Sequence, residues 1–90
     1  MKVVLDAKKM PEKKATHAYL QEKLKLPSYY GGNLDALYDC LTELNETEIV
    51  IINRNVGGEY FGRICKVFQH ACEDNEKLQV FFEEQDALSL

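Results

Sequence analysis

Asp35 and Asp39 are four residues apart in the run Asn33-Leu34-Asp35-Ala36-Leu37-Tyr38-Asp39-Cys40-Leu41-Thr42-Glu43. On a helix that spacing puts both carboxylates on one face, a turn from each other. At about 100° per residue Tyr38 and Thr42 flank them. Leu34, Leu37, Leu41 and Leu44 follow at i, i+3, i+7 and i+10 on the opposite face. Such a helix docks its leucines on a core and presents two carboxylates and a phenol to water. Like charges at i and i+4 weaken a helix slightly. Asp35, in the first turn, recovers some of that from the helix dipole, whereas Asp39 is too far along to gain much. The pair is therefore mildly costly in its own helix. That makes it a candidate for function, with an ordinary solvated face as the plain alternative.

Two carboxylates can work as acid and base only in a concave, partly dry site that splits their pKa values. On the outer face of one helix both would be wet and ionised. The chain has no GxSxG, P-loop, HExxH or GxGxxG pattern. Ser28 and Ser89 lie in no nucleophile motif. On these features the chain does not read as an enzyme. Cys40, Cys65 and Cys72 are odd in number and form no CxxC. Cys65 and Cys72 share a helix and lie about 10 Å apart along it, beyond the roughly 7 Å that a disulfide spans. Reduced, buried thiols in a cytoplasmic protein are the expectation. A zinc site wants four closely spaced ligands, which His17, His70 and three scattered cysteines do not supply. No metal and no cofactor are expected.

His17 falls beside the leucines of its helix and reads as a core or boundary residue. His70 falls with Arg63, Lys66 and Glu73 on the polar side of another helix and reads as solvated. Tyr29 and Tyr30, next to two glycines, are either lids on the core or exposed aromatic anchors for a partner.

The elements that must position these residues are short. Lys2 to Asp6 reads as a buried strand. Pro11 suits the first turn of a helix that runs to Lys25 and ends before Pro27. Tyr29-Tyr30-Gly31-Gly32 is a turn, and Asn33 is a good N-cap for a helix to about Leu44. Glu48 to Asn53 is a β-branched run, apolar on both faces, as in a parallel sheet covered by helices. Tyr60 to Asp74 is helical, with Phe61, Ile64, Cys65, Phe68, Ala71 and Cys72 on one face. Leu78 to Phe82 is the last strand. The order β, α, α, β, α, β predicts an α/β fold with a small three-stranded parallel sheet and right-handed crossovers.

The chain has 90 residues, 46 % of them hydrophobic and 29 % charged. That predicts a single globular domain over residues 1–90. No apolar run approaches the roughly 18 residues of a membrane span. The opening apolar run stops at Asp6, too soon for a signal peptide. Net charge is −4, which argues against a general binder of nucleic acid or anionic membrane. Lys2, Lys8, Lys9, Lys13, Lys14, Lys23 and Lys25 supply seven of the eleven basic residues, whereas Pro27 to Asn53 holds none. That second stretch carries Asp35, Asp39, Glu43, Glu46 and Glu48, and suggests a basic partner or a metal, with a solvated negative face as the plain alternative.

The segment from Leu26 to Leu41, Leu-Pro-Ser-Tyr-Tyr-Gly-Gly-Asn-Leu-Asp-Ala-Leu-Tyr-Asp-Cys-Leu, closely resembles the barstar family. It joins a turn, a cap and an acidic face in one run. The preceding helix with His17, Leu20 and Leu24 looks similar too, and the likeness weakens downstream. The resemblance implies a three-stranded parallel sheet with helices packed on it. It also implies an inhibitor that plugs the active site of a barnase-like, guanyl-type microbial ribonuclease and protects the producing cell. Asp39 matches the family's central anion, which occupies the phosphate site, and Asp35 matches a second acidic contact. The partner-facing set implied is Tyr29, Gly31, Asn33, Leu34, Asp35, Tyr38, Asp39, Thr42, Glu43 and His70. A monomer forming a one-to-one complex follows from it.

Three positions depart from the family pattern. Tyr38 stands where tryptophan is frequent, Leu44 replaces an aromatic residue, and His70 stands where the third helix would offer an acidic contact. Glu73 is the nearby candidate to replace that contact. These departures bear on which ribonuclease is bound. An immunity protein for a different basic toxin, using the same helix, is the alternative. A small enzyme or metal-binding domain built on Asp35, Asp39 and Glu43 is a third class.

Overall fold

The computed structural model describes residues 1–83. Residues 84–90 of the expected domain, with Ser89 among them, lie outside the described residues. Three strands form one parallel sheet: β1 (Lys2–Asp6), β2 (Thr47–Ile52) and β3 (Leu78–Phe82), in the order β1-β2-β3. Val4 pairs with Val50, and Val50 with Phe81. Helices α1 (Lys13–Lys23) and α2 (Leu34–Thr42) lie between β1 and β2, and α3 (Glu59–Asp74) lies between β2 and β3. Short 3₁₀ turns occupy Ala7–Lys9 and Arg54–Val56. The α/β architecture read from the sequence is the one observed.

Alternation along the strands decides what is buried. Val3, Leu5, Ile49, Ile51 and Leu78 join Leu20 and Leu24 of α1, Leu37 and Leu41 of α2, and Ile64 and Phe68 of α3 in one core. Among the described residues the opposite face of the sheet is left largely open: Val4 is 47 % exposed and Phe81 49 %. This corrects the expectation of a sheet covered on both sides. The reason is topological. Strand order follows chain order, so both crossovers step the same way, and crossovers of one hand then put their helices on one face.

Two helix ends also differ from expectation. Pro11 precedes the cap of α1 and is not in its first turn; the cap is Glu12, whose carboxylate accepts the Lys14 and Ala15 N–H groups at 3.0 and 2.8 Å. At the other end α1 stops at Lys23, before Pro27 can act. Lys25 adopts a left-handed conformation (φ 55°), and the Leu26 N–H reaches back to the Gln21 carbonyl at 3.0 Å. That is a Schellman cap with lysine where glycine is usual, sealed by buried Leu26. At the start of α3, Gly57 has a steric duty: a Cβ there would run into the Phe61 ring.

Candidate functional site

The α2 helix is fixed from several directions. Asn33 caps it, accepting the Ala36 N–H at 2.8 Å on its side-chain oxygen. Leu37 and Leu41 are fully buried, and Leu34 and Leu44 pack against the same core. Removing either buried leucine would cost about 2–5 kcal/mol. The last carbonyls of the helix region are satisfied from α3's end: the Asn75 side-chain amide donates to Leu41 O at 3.0 Å and to Leu44 O at 2.8 Å. The helix proper ends at Thr42, and the turn continues to Leu44 through 3₁₀-type bonds.

On the outer face Asp35, Asp39 and Glu43 are all exposed. With the helix ending at Thr42, Asp39 lies in its last turn and Glu43 is its C-cap. Both carboxylates therefore add to the negative end of the helix dipole, where anions are destabilising. The Asp39 carboxylate has no hydrogen-bond or ion-pair partner among the described residues. The Thr42 hydroxyl donates to the Asp39 carbonyl at 2.9 Å, so Thr42 is half-buried and occupied.

The loop before α2 separates the two adjacent tyrosines. Tyr29 is 85 % exposed and is not a lid on the core. Tyr30 turns inward, and its hydroxyl lies 2.5 Å from His17 Nδ1; the Tyr60 hydroxyl lies 2.5 Å from His17 Nε2. One buried imidazole thus ties α1, the loop and α3 together. Burial, and secondarily Lys13, holds the His17 pKa below its usual value, so the ring is neutral there. Burial raises the Tyr30 phenol far above its usual range, with Cys40 and Tyr60 adding to it. Gly32 turns the chain into the helix with φ 68°, and Gly31 is exposed beside the Asn33 amide.

Two shallow grooves flank the acidic face. One, of ≈ 300 Å³, brings together Tyr29, Asp39 and Glu43 with Lys25 and Leu44. The other, of ≈ 510 Å³, holds Asn33, Leu34 and Asp35 beside Lys13, Tyr60 and Arg63. Asp35 thus shares a groove with two of the chain's own cations, and Asp39 shares one with Lys25.

The third helix contributes through a residue the sequence reading missed. Tyr38 is half-buried and its hydroxyl donates to the Asp74 carboxylate, a bond that raises the phenol's pKa. His70 is exposed one turn earlier on α3. Glu73 is exposed on α3. It lines a groove between α3 and β3 with Cys65, Cys72 and Phe82, because 100° of helix rotation separates it from Asp74.

Burial raises the thiols of Cys40, Cys65 and Cys72, with Glu43 and Asp39 adding to it at Cys40. All three are half-buried and free: for Cys40 that is what its place between the two helix faces implies, whereas Cys65 and Cys72 are less buried than expected. Protonated thiols are poor nucleophiles. Among the described residues no three His, Cys, Asp or Glu side chains converge as a metal-binding group, and no helix is long and apolar enough to cross a membrane.

Comparison with known proteins agrees with this fold. A family profile described as "Barstar (barnase inhibitor)" matches residues 1–84. The protein named "Putative ribonuclease inhibitor YrdF" from Bacillus subtilis (strain 168) is 33 % identical over 79 residues, covering 81 % of this chain and 87 % of that one. The chain belongs to the barstar family.

Proposed function

We propose that this protein is an intracellular inhibitor of a barnase-like, guanyl-type ribonuclease, and that α2 plugs the enzyme's active site. Membership of the barstar family and similarity to a protein named as a ribonuclease inhibitor support inhibition over catalysis. One observation carries the mode of binding: the Asp39 carboxylate, unpartnered on a rigid helix, at the negative end of the dipole and beside exposed Tyr29.

A ribonuclease must gather arginine, lysine and histidine around the phosphate it cleaves. A carboxylate on a rigid helix imitates that phosphate. Charge-assisted, often bidentate bonds from arginine then form in a site already built to desolvate an anion. Asp35 makes a second, better hydrated contact. Tyr29, Gly31, Asn33, Leu34, Tyr38, Thr42 and Glu43 form the surrounding surface, and His70 lies at its α3 rim. The stretch from Pro27 to Asn53, without lysine or arginine, adds long-range attraction that speeds encounter. The inhibitor acts as one monomer per enzyme.

Isothermal titration with such an enzyme, alongside RNA cleavage, tests the proposal. Heat saturating at one-to-one with loss of cleavage is expected. Neither heat nor inhibition across several guanyl ribonucleases would favour immunity to a different basic toxin. The altered rim at Tyr38, Leu44 and His70 is the feature that points that way.

A further inference from the structure

The opposite edge of the sheet is built for a different charge. β1 is an edge strand, paired with β2 on one side only. The Glu48 N–H donates to the Met1 carbonyl at 2.7 Å, so the backbone groups of Met1, Val3 and Leu5 turn toward β2. Those of Lys2, Val4 and Asp6 turn outward. The Asp6 N–H is already used: it donates to the Tyr19 hydroxyl at 2.9 Å. The outward groups of Lys2 and Val4 remain, and they face a groove of ≈ 670 Å³ between β1 and α1.

Val4 and Tyr19 give this groove an apolar floor, and Lys2, Lys9, Lys23 and Lys25 line it, against the single carboxylate of Glu22. Lysines on an edge strand commonly serve to block unwanted pairing. Only Lys2 is on the strand here. Lys9 comes from the 3₁₀ turn, Lys23 from the last turn of α1, and Lys25 from the left-handed residue that ends it. They surround the edge without interrupting it.

We propose that this groove binds an acidic, extended peptide segment of a partner protein, which adds to the sheet as a strand beside β1. The outward Lys2 and Val4 groups make the ladder, alternate side chains rest on Val4 and Tyr19, and carboxylates meet the lysines. A polynucleotide would use the lysines but leave the strand edge without partners. The site meets the Asp39 groove at Lys25, and its strand edge does not depend on what α2 binds.

The test uses the full chain and a short dye-labelled peptide of alternating glutamate and valine, followed by fluorescence anisotropy. Saturable binding is expected, weakened about ten-fold or more by the pair Lys9→Glu and Lys23→Glu. Lys25 is left unchanged because it also borders the Asp39 groove. The Lys2 and Val4 amides should gain protection from exchange on binding. The same peptide with alternate N-methyl groups should fail to bind, which separates strand addition from charge alone. Inhibition through α2 should be unchanged in the double variant. Absence of saturable binding overturns the proposal, as does equal binding of the N-methylated peptide. Tighter binding of single-stranded RNA or of phosphatidylserine vesicles also overturns it. So does self-association of the chain that the double variant disperses, because the occupant is then a second copy.

Discussion

The acidic helix and the basic edge carry opposite charges and are held in opposite ways. On α2 the backbone is immobilised by the Asn33 cap, the leucines beneath, Asn75 at the far end and the His17–Tyr30–Tyr60 tie beside it. Its carboxylates are left exposed. At the β1 edge the lysines come from four separate segments, and one side-chain bond, Tyr19 to Asp6, braces the wall. The first surface is preorganised before any partner arrives, so little ordering cost opposes binding. The lysines of the second are held by fewer bonds, so a larger ordering cost opposes binding there. A net charge of −4 conceals this separation.

The largest expected effect isolates charge from scaffold. Asp39→Ala should weaken binding of a barnase-like ribonuclease by at least about 2 kcal/mol, because the enzyme's cations are left buried and unpaired. Its melting temperature should stay close to wild type, since an exposed side chain leaves no cavity and repulsion with Asp35 is relieved. Paired titrations and melting curves check this. Wild-type affinity in Asp39→Ala with loss in Glu43→Ala would move the central anion to Glu43.

The next change attacks the scaffold and keeps every carboxylate. His17→Asn removes the tie to Tyr30 and Tyr60, and should cost about 1–3 kcal/mol of stability through two buried hydroxyls that lose their partner. Binding should weaken as the Tyr29 loop loosens. The same histidine gives wild type a pH signature. Its pKa is depressed in the folded protein, so the unfolded chain binds the extra proton first. This contribution to stability is therefore complete above about pH 6.5 and is lost as pH falls from there through the folded pKa. Denaturant melts across that window should slope in wild type and lose most of that slope in His17→Asn.

Added salt should slow association by about ten-fold between low and high ionic strength, because the steering field is screened within about 8 Å at physiological salt. Stopped-flow mixing measures this, and a rate independent of salt would remove steering while leaving docking intact. The smallest effect is expected for Asp35→Ala, below about 1 kcal/mol in binding. Asp35 is exposed and shares its groove with Lys13 and Arg63. A loss at Asp35 equal to that at Asp39 would mean that the two carboxylates share one buried site.

The acidic pole was largely legible in the sequence, and its supports were not. The leucine period of α2 fixed which side is buried, and Asn33 announced its start, because both are local rules. Which of Tyr29 and Tyr30 points inward was not readable, since it depends on His17 thirteen residues before Tyr30. Asp74 was missed because an α3 side chain matters here only through its reach to Tyr38. The open face of the sheet was hidden as well. Val3-Val4-Leu5 and Ile49-Val50-Ile51-Ile52 read as doubly buried runs, yet Val4 is half exposed. Apolar composition says what a strand tolerates, whereas the handedness of two successive crossovers decides which face is covered. Lys25 concealed the end of α1 in the same way, by taking a backbone conformation usually signalled by glycine.

The central claim is that the outer face of α2 takes the place of the RNA phosphate. Competition between this protein and guanosine 3′-monophosphate for a barnase-like ribonuclease tests it most directly. The apparent dissociation constant of the protein complex should rise in proportion to the nucleotide concentration once the enzyme is saturated with nucleotide. A constant that does not change, with nucleotide and protein bound together, would contradict it.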